Sequence, residues 1–430
     1  MICLLPHCAY LSETSRMAAV YKALVARGAP VCVATHGGTH EFYLERAGIP
    51  YSLLEPRMDA ARCRRFVADG AGQGAPNQSM YSDDEIRAQV SAQVRFFREQ
   101  GVRAVLTGFS LTSLLSTRVA GVPLAASHAG SCVPPVFQRN IMPAPSRLSP
   151  AILRALPRAW QQRLSNWVVE RVKFYCGGFN RVARELGVEP VPSFAALLLA
   201  DLTLVTDIPE IVGISREEMH AWVPSPAHCY RAPTKLRYTG PLFASQHGAL
   251  PERVERFLSA TDPRPLVYVA LTSTSSRVVL AAIQAVRKAG ARVLAVSTVH
   301  EIEAAQGDDL LIEPYLPSVD VMPRVALAVT AGGQGSVQTA MVSGTPLLGV
   351  PLQPEQDLNL YLIERQGAGR LLPLRQVGST RMVELVRGML ADATYRAQAQ
   401  RLKSLLERED GAGNAAELLM RLASEGIEAV

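Results

Sequence analysis

The sequence has few cysteines and no C-x-x-C pair among them. Seven stand at positions 3, 8, 32, 63, 132, 176 and 229, an odd number without metal-ligand spacing. A disulfide framework or a zinc site is therefore not expected, and the thiols read as small apolar residues. No uncharged apolar run approaches the roughly 18 residues that a bilayer demands. The longest, Phe194 to Val205, is interrupted by Asp201. The opening Met1-Ile2-Cys3-Leu4-Leu5-Pro6 carries no basic segment, and its apolar run is too short for a signal peptide. The expectation is a cytoplasmic protein. The net charge of +6 is thin over 430 residues and leaves no nucleic-acid footprint. No Asp-rich metal cluster stands out, since Asp83-Asp84 and Asp308-Asp309 read as solvated loop acids. No G-x-x-x-x-G-K-[ST] occurs, which excludes a P-loop NTPase.

The composition supplies ample core. Hydrophobic residues make up 48% and charged ones 19%, with a mean hydropathy of +0.11. Disorder is excluded, and the length fits two domains. Short apolar runs alternate with longer amphipathic ones. Ile2–Leu5, Val31–Thr35, Ala104–Thr107 and Leu124–Ser127 read as strands, with helices over Ser15 to Ala26 and Glu41 to Ala47. The rhythm restarts at Leu266–Leu271, then Val293–Ser297, Leu310–Ile312, Leu327–Thr330 and Leu347–Val350. Such alternation argues for parallel βαβ units in two α/β halves. The changeover is expected within Tyr230 to Arg264, which is rich in proline, glycine and polar residues.

Pro134 to Gly187 is unlike the rest. Trp160, Leu164, Trp167, Val168, Arg171 and Val172 recur with helical spacing. Between residues 147 and 173, Arg147, Arg154, Arg158, Arg163, Arg171 and Lys173 outnumber a single acid, Glu170. An amphipathic helix packed on its own domain with a solvated basic face is the leading expectation. A membrane-surface helix and an acceptor-binding lid are the alternatives.

The chemistry concentrates in Glu313 to Arg370. Pro314-Tyr315-Leu316-Pro317 is a turn before a short helix. An apolar strand then runs into Thr330-Ala331-Gly332-Gly333-Gln334-Gly335-Ser336, and a helix is expected from near Ser336 to Gly344. Glycines let backbone N–H groups approach an anion closely, and the helix start adds unpaired donors and a favourable dipole. Ser336 can cap the helix or donate to a phosphate oxygen. After the next strand, Glu355, Gln356 and Asn359 offer a carboxylate and two amides suited to sugar hydroxyls. A Rossmann fingerprint is incomplete, because Gly333-Gln334-Gly335 lacks its third glycine.

This ordered series resembles the family 1 nucleotide-sugar glycosyltransferases of the GT-B superfamily, of bacterial natural-product type. It comprises the Tyr-Leu-Pro turn, the Gly-rich helix start, Gly344-Thr345-Pro346, Glu355-Gln356 and Gly367-Ala368-Gly369. Gly108-Phe109-Ser110 and Gly121-Val122-Pro123 look like the family's N-terminal half. The resemblance implies an α/β GT-B fold of two Rossmann-like domains facing across a cleft. Residues 1–240 would bind the acceptor, 241–405 the nucleotide sugar, and a C-terminal helix in 406–430 would return to the first domain. The implied activity is inverting transfer from a UDP- or dTDP-sugar to a hydroxyl or similar nucleophile of a mostly apolar small molecule. The nucleotide sugar serves as co-substrate, with no obligatory cofactor or metal. Gly333, Gly335 and Ser336 would hold the diphosphate, with Gln334 and Asn359 nearby. Glu355 and Gln356 would hold the sugar, residues around Tyr315 and Leu316 the base, and Thr272 and Ser273 would form the second donor loop. Peripheral membrane contact and a homodimer are both compatible with this reading.

Two departures from the family pattern matter. The family's phosphate-contacting histidine is Ala331 here, with Thr330 or Gln334 as replacement donors. The family's catalytic histidine after the first strand matches Glu13 without a gap, or Tyr10 with one. A carboxylate can serve as base if burial raises its pKa, although a helix start just after Glu13 would lower it. His7 and His128 are further candidates, because both follow strands at the ends where open α/β sheets bind ligands. Loss of both histidines also leaves a non-catalytic auxiliary homologue as the alternative, with a sugar-nucleotide epimerase behind it.

Overall fold

The computed structural model describes residues 1–70, 80–145, 155–225, 230–242, 248–271, 274–297 and 307–430. The chain divides into two units. One comprises Met1–Ile141, Arg163–Ala244 and Asp410–Val430, the other Met142–Gln162 and Ser245–Glu409.

The first unit is built on seven parallel strands. They are β1 (Ile2–Leu5), β2 (Val31–Thr35), β3 (Ser52–Leu53), β4 (Ala104–Thr107), β5 (Leu124–His128), β6 (Leu202–Val205) and β7 (Lys235–Tyr238). Their order is β3-β2-β1-β4-β5-β6-β7. The central β1, β4, β5 and β6 are buried along their whole length, which is why they read as unbroken apolar runs instead of alternating ones. The helix Leu11–Ala26 covers one face through Met17, Val20 and Leu24, against Ile2 and Leu4. Ala415, Leu419 and Leu422 of the helix Gly411–Glu425 complete that core. This helix comes close at Gly411, where a Cβ would lie 2.0 Å from the Pro241 carbonyl oxygen.

The second unit has six parallel strands. They are β8 (Leu266–Ala270), β9 (Arg292–Val296), β10 (Leu310–Glu313), β11 (Leu327–Thr330), β12 (Leu347–Gly349) and β13 (Gly369–Leu371), ordered β10-β9-β8-β11-β12-β13. Val267, Val269, Val293 and Val329 pack against Val279, Ile283 and Val286 of the helix Ser276–Lys288. In both sheets β1 and β8 sit inside, flanked on either side, and the order reverses there. That reversal is where open parallel sheets bind ligands, at the carboxyl ends of the strands. The expected fold class of two parallel α/β domains is what the chain adopts.

Two helices start earlier than the sequence pattern suggests. The first begins at Leu11, not Ser15, which places Glu13 inside its first turn. Local polarity hid this: Thr14 and Ser15 donate back to the Tyr10 and Ser12 carbonyls, whereas Glu13 is held by tertiary bonds. The helix after β11 begins at Gln334, with Gly333 as its N-cap in an extended conformation, so Ser336 lies inside the helix and does not cap it.

The middle region gives a larger correction. The helix Arg158–Val169 does not bury its Trp stripe. Trp160 and Trp167 are 63% and 55% exposed, whereas Asn166 and, just beyond the helix, Glu170 are buried. Glu170 is anchored by donors from Gln138 and Tyr230, each at 2.9 Å. These anchors, distant in sequence, decide which face turns inward, and periodicity alone could not show them.

Candidate active site and donor loop

The donor candidates of the second unit lie at the ends of β11 and β12. Gly332 has φ +84°, and a Cβ there would lie 2.5 Å from Leu360, so glycine is required by both backbone and packing. Gly333 has an ordinary φ of −60°, and nothing of the protein lies within 4 Å of a Cβ added there. The space above Gly333 is thus left open by the fold. The N–H groups of Gly335 and Ser336 open the helix Gln334–Val342 and have no acceptor within it. These donors and the helix dipole form a positive, partly exposed cradle suited to a phosphate.

The helix Pro354–Arg365 follows β12 and carries Glu355, Gln356 and Asn359. Asn359 is buried and donates from Nδ2 to the Gly332 carbonyl at 3.2 Å and to Glu355 Oε1 at 2.5 Å. It therefore ties the Gly-rich turn to the carboxylate. Gln356 Oε1 accepts from the Leu352 N–H at 2.8 Å, which fixes that side chain by its carbonyl end. Tyr315 is half exposed after β10, while Leu316 is buried and offers a ligand only its main chain. Thr330 is fully buried, and its hydroxyl accepts from the Gly332 N–H at 3.2 Å. It shapes the turn, and Gln334 is partly exposed at the first helical position. Thr272 and Ser273 lie outside the described residues.

The base candidates of the first unit gather around the ends of β1, β4 and β5. Glu13 is 1% exposed. Its Oε1 accepts three backbone N–H groups, from His7 at 3.0 Å, Gly108 at 3.1 Å and Phe109 at 2.7 Å. Its Oε2 is buried without a hydrogen-bond partner. Gly108 must be glycine for this packing, since a Cβ there would lie 2.8 Å from the Glu13 carboxyl carbon. Burial pushes the Glu13 carboxyl up to about 7, with the three amides and Arg16 pulling against it. The lowering expected from the helix start is outweighed by desolvation.

The other candidates titrate differently. Burial drives His7 down to about 3, helped by His36 and Arg62. His7 Nδ1 accepts from the Ala9 N–H at 3.4 Å, which assigns the proton to Nε2, a buried atom with no partner. Burial, with Arg16 nearby, also lowers His128 to about 3. Burial and the Glu13 charge raise the Tyr10 phenol well above its usual value.

An aromatic wall surrounds these groups and is invisible to motif reading. His7 stacks on Phe66 at 4.1 Å, Tyr10 meets Phe109 at 5.3 Å, and Phe66 meets Tyr81 at 5.1 Å. Phe109 had a sequence signal only as part of the Gly-Phe-Ser resemblance. Phe66 and Arg16 had none, because their roles come from long-range packing. Among the described residues no cluster of three or more His, Cys, Asp or Glu is placed to hold a metal ion.

The solved structure of the glycosyltransferase VinC in complex with dTDP superimposes with a TM-score of 0.65, covering 99% of this chain and 100% of its own at 15% identity. The fold is thereby that of the GT-B glycosyltransferases. Residues 119–410 match the family described as UDP-glucuronosyl and UDP-glucosyl transferase, and the chain belongs to that family. A PGL/p-HBAD biosynthesis glycosyltransferase of Mycobacterium tuberculosis is 24% identical over 331 residues, spanning 76% of this chain and 72% of its own. A PGL/p-HBAD biosynthesis rhamnosyltransferase of Mycobacterium bovis is 26% identical over 332 residues, spanning 76% and 69%. The protein is a glycosyltransferase that uses a nucleotide sugar as co-substrate, and the auxiliary-protein and epimerase readings are not favoured. No helix among the described residues is long and apolar enough to cross a membrane.

Proposed function

We propose that this enzyme is an inverting glycosyltransferase that uses Glu13 as its general base. The donor is a UDP- or dTDP-sugar, and the acceptor is a hydroxyl or similar nucleophile on a mostly apolar small molecule. The family's description supports a uridine donor, and the dTDP complex of VinC supports a thymidine one. The wall of Phe66, Tyr10 and Phe109 supports an apolar acceptor.

The observation that carries the reading is the divided role of the Glu13 carboxylate. Oε1 is held by three amides while the buried Oε2 has no partner. Oε2 takes the acceptor proton as the acceptor oxygen attacks the anomeric carbon. The bond from that carbon to the diphosphate breaks, and its electron pair leaves with the diphosphate. The amides at Gly335 and Ser336 stabilise the charge that develops there. A group titrating near 7 is better matched to this work at neutral pH than His7 or His128 near 3.

Thermal unfolding with uridine, thymidine and guanosine diphosphates tests the donor. A nucleotide at about 100 times its Kd adds about 2.7 kcal/mol. Stabilisation by the uridine or thymidine compound is expected; stabilisation by guanosine diphosphate alone overturns the donor assignment. The product's anomeric configuration tests the displacement. It is expected to be opposite to the donor's, and retention would exclude a single displacement.

A further inference from the structure

The helix Arg158–Val169 is inside out for a soluble protein. Its buried position is Asn166, while Trp160 and Trp167 share one exposed face, about 100° around the helix from it. Seven residues separate the two indoles, about two turns or roughly 10 Å along one face. Leu156 before the helix and Phe174 after it are 38% and 54% exposed, which extends the apolar surface at both ends. An exposed cluster of this kind marks an interaction site.

The charge around it selects the partner. Arg158, Arg163, Arg171 and Lys173 are all exposed, and none forms an ion pair among the described residues. The Arg171 guanidinium sits over the Trp167 ring at 4.7 Å. The only acid between residues 155 and 175 is Glu170, which is buried and hydrogen-bonded inward. Residues 155–175 thus carry four exposed cations and no exposed anion, in a chain whose whole excess is +6. Pairing with a second copy through this face would bring like charges together. A flat row of indoles flanked by cations suits the boundary between headgroups and acyl chains, where tryptophan is favoured at the polar edge.

We propose that this face docks the enzyme on an anionic lipid surface, with Trp160 and Trp167 entering the headgroup region and Arg158, Arg163, Arg171 and Lys173 meeting lipid phosphates. The contact is peripheral and concerns where the enzyme works, not its chemistry.

The test is co-sedimentation of the full chain with phosphatidylcholine vesicles, with and without roughly 30% phosphatidylglycerol. Binding to the anionic vesicles is expected to exceed neutral binding by about tenfold and to fall at about 0.5 M salt. Two of the three tryptophans lie on this helix, so emission should shift to the blue on binding. A Trp160→Ser, Trp167→Ser double variant should melt like the parent yet bind about tenfold more weakly. An Arg158→Glu, Arg163→Glu variant should lose the anionic preference. Equal binding to both vesicle types, or equal sedimentation of parent and tryptophan variant, overturns the proposal. So does self-association that the tryptophan variant abolishes while vesicles go unbound, since the face would then join copies of the chain.

Discussion

The two halves of this enzyme treat the same structural position in opposite ways. In each, a central parallel strand ends and a helix begins beside its neighbour's loop. In the first half, the amides at that place are sealed by the protein itself. The N–H groups of His7, Gly108 and Phe109 converge on Glu13 Oε1. In the second half, the turn after β11 supplies no carboxylate of its own. The amides of Gly335 and Ser336 open the helix Gln334–Val342 with no acceptor inside it, and the space over Gly333 is open. One site has satisfied its donors and kept a buried carboxylate oxygen for a proton. The other has kept its donors for an anion. The difference separates a base from a leaving-group cradle.

The strongest way to break this comparison is Glu13→Gln. The amide retains a carbonyl oxygen for the three backbone donors but cannot take a proton. Turnover should fall by about 10²–10⁴-fold, with nucleotide-induced stabilisation unchanged. Near-normal turnover in that variant removes Glu13 from the mechanism. The same variant alters stability against pH. Folding raises this carboxyl from 4.5 to about 7, so the folded state binds its proton more tightly than the unfolded one. Its contribution to stability therefore falls as pH rises from about 4.5 to about 7. Chemical denaturation across that range should show the slope in the parent and lose it in Glu13→Gln.

The next two changes sharpen the second half of the comparison. Gly332→Ala forces a side chain onto φ +84° and into Leu360, so it should cost about 3 kcal/mol of stability along with donor binding. Gly333→Ala meets no protein atom and fits its backbone. Because Gly333 caps the helix Gln334–Val342, where glycine is preferred to alanine, that cost offsets the gain from a narrower unfolded ensemble, and stability should change by less than about 1 kcal/mol. Yet its donor Kd, measured by calorimetry, should rise by about tenfold if the ligand needs that space. A variant that stays folded and binds donor normally would show that the open space is not used.

Sequence legibility followed the range of the interactions. The Gly-rich turn, the strands beside it and the amides on the next helix were readable because glycine spacing and apolar runs are local signals. Both α/β halves were readable for the same reason. The surroundings of Glu13 were not, since the three amides that hold it come from positions 7, 108 and 109. Burial among those segments reverses the local expectation, because desolvation outweighs both the amides and the nearby helix start. Thr330 looked available to replace the missing histidine, and the structure shows it fully buried, with its hydroxyl accepting from the Gly332 amide. The Trp-bearing stripe was visible as a periodicity, and periodicity shows that a face exists without saying which side is buried. That choice was made by Gln138 and Tyr230, through Glu170.

The most direct test of the central claim is the pH dependence of kcat/KM for sugar transfer, which reports the essential base in the free enzyme. The account predicts a rate that climbs with pH through an ascending limb near 7, set by the Glu13 carboxyl. That limb should disappear from the residual activity of Glu13→Gln. A limb near 3, a flat profile through neutrality, or an unchanged limb in the variant would assign the proton to another group.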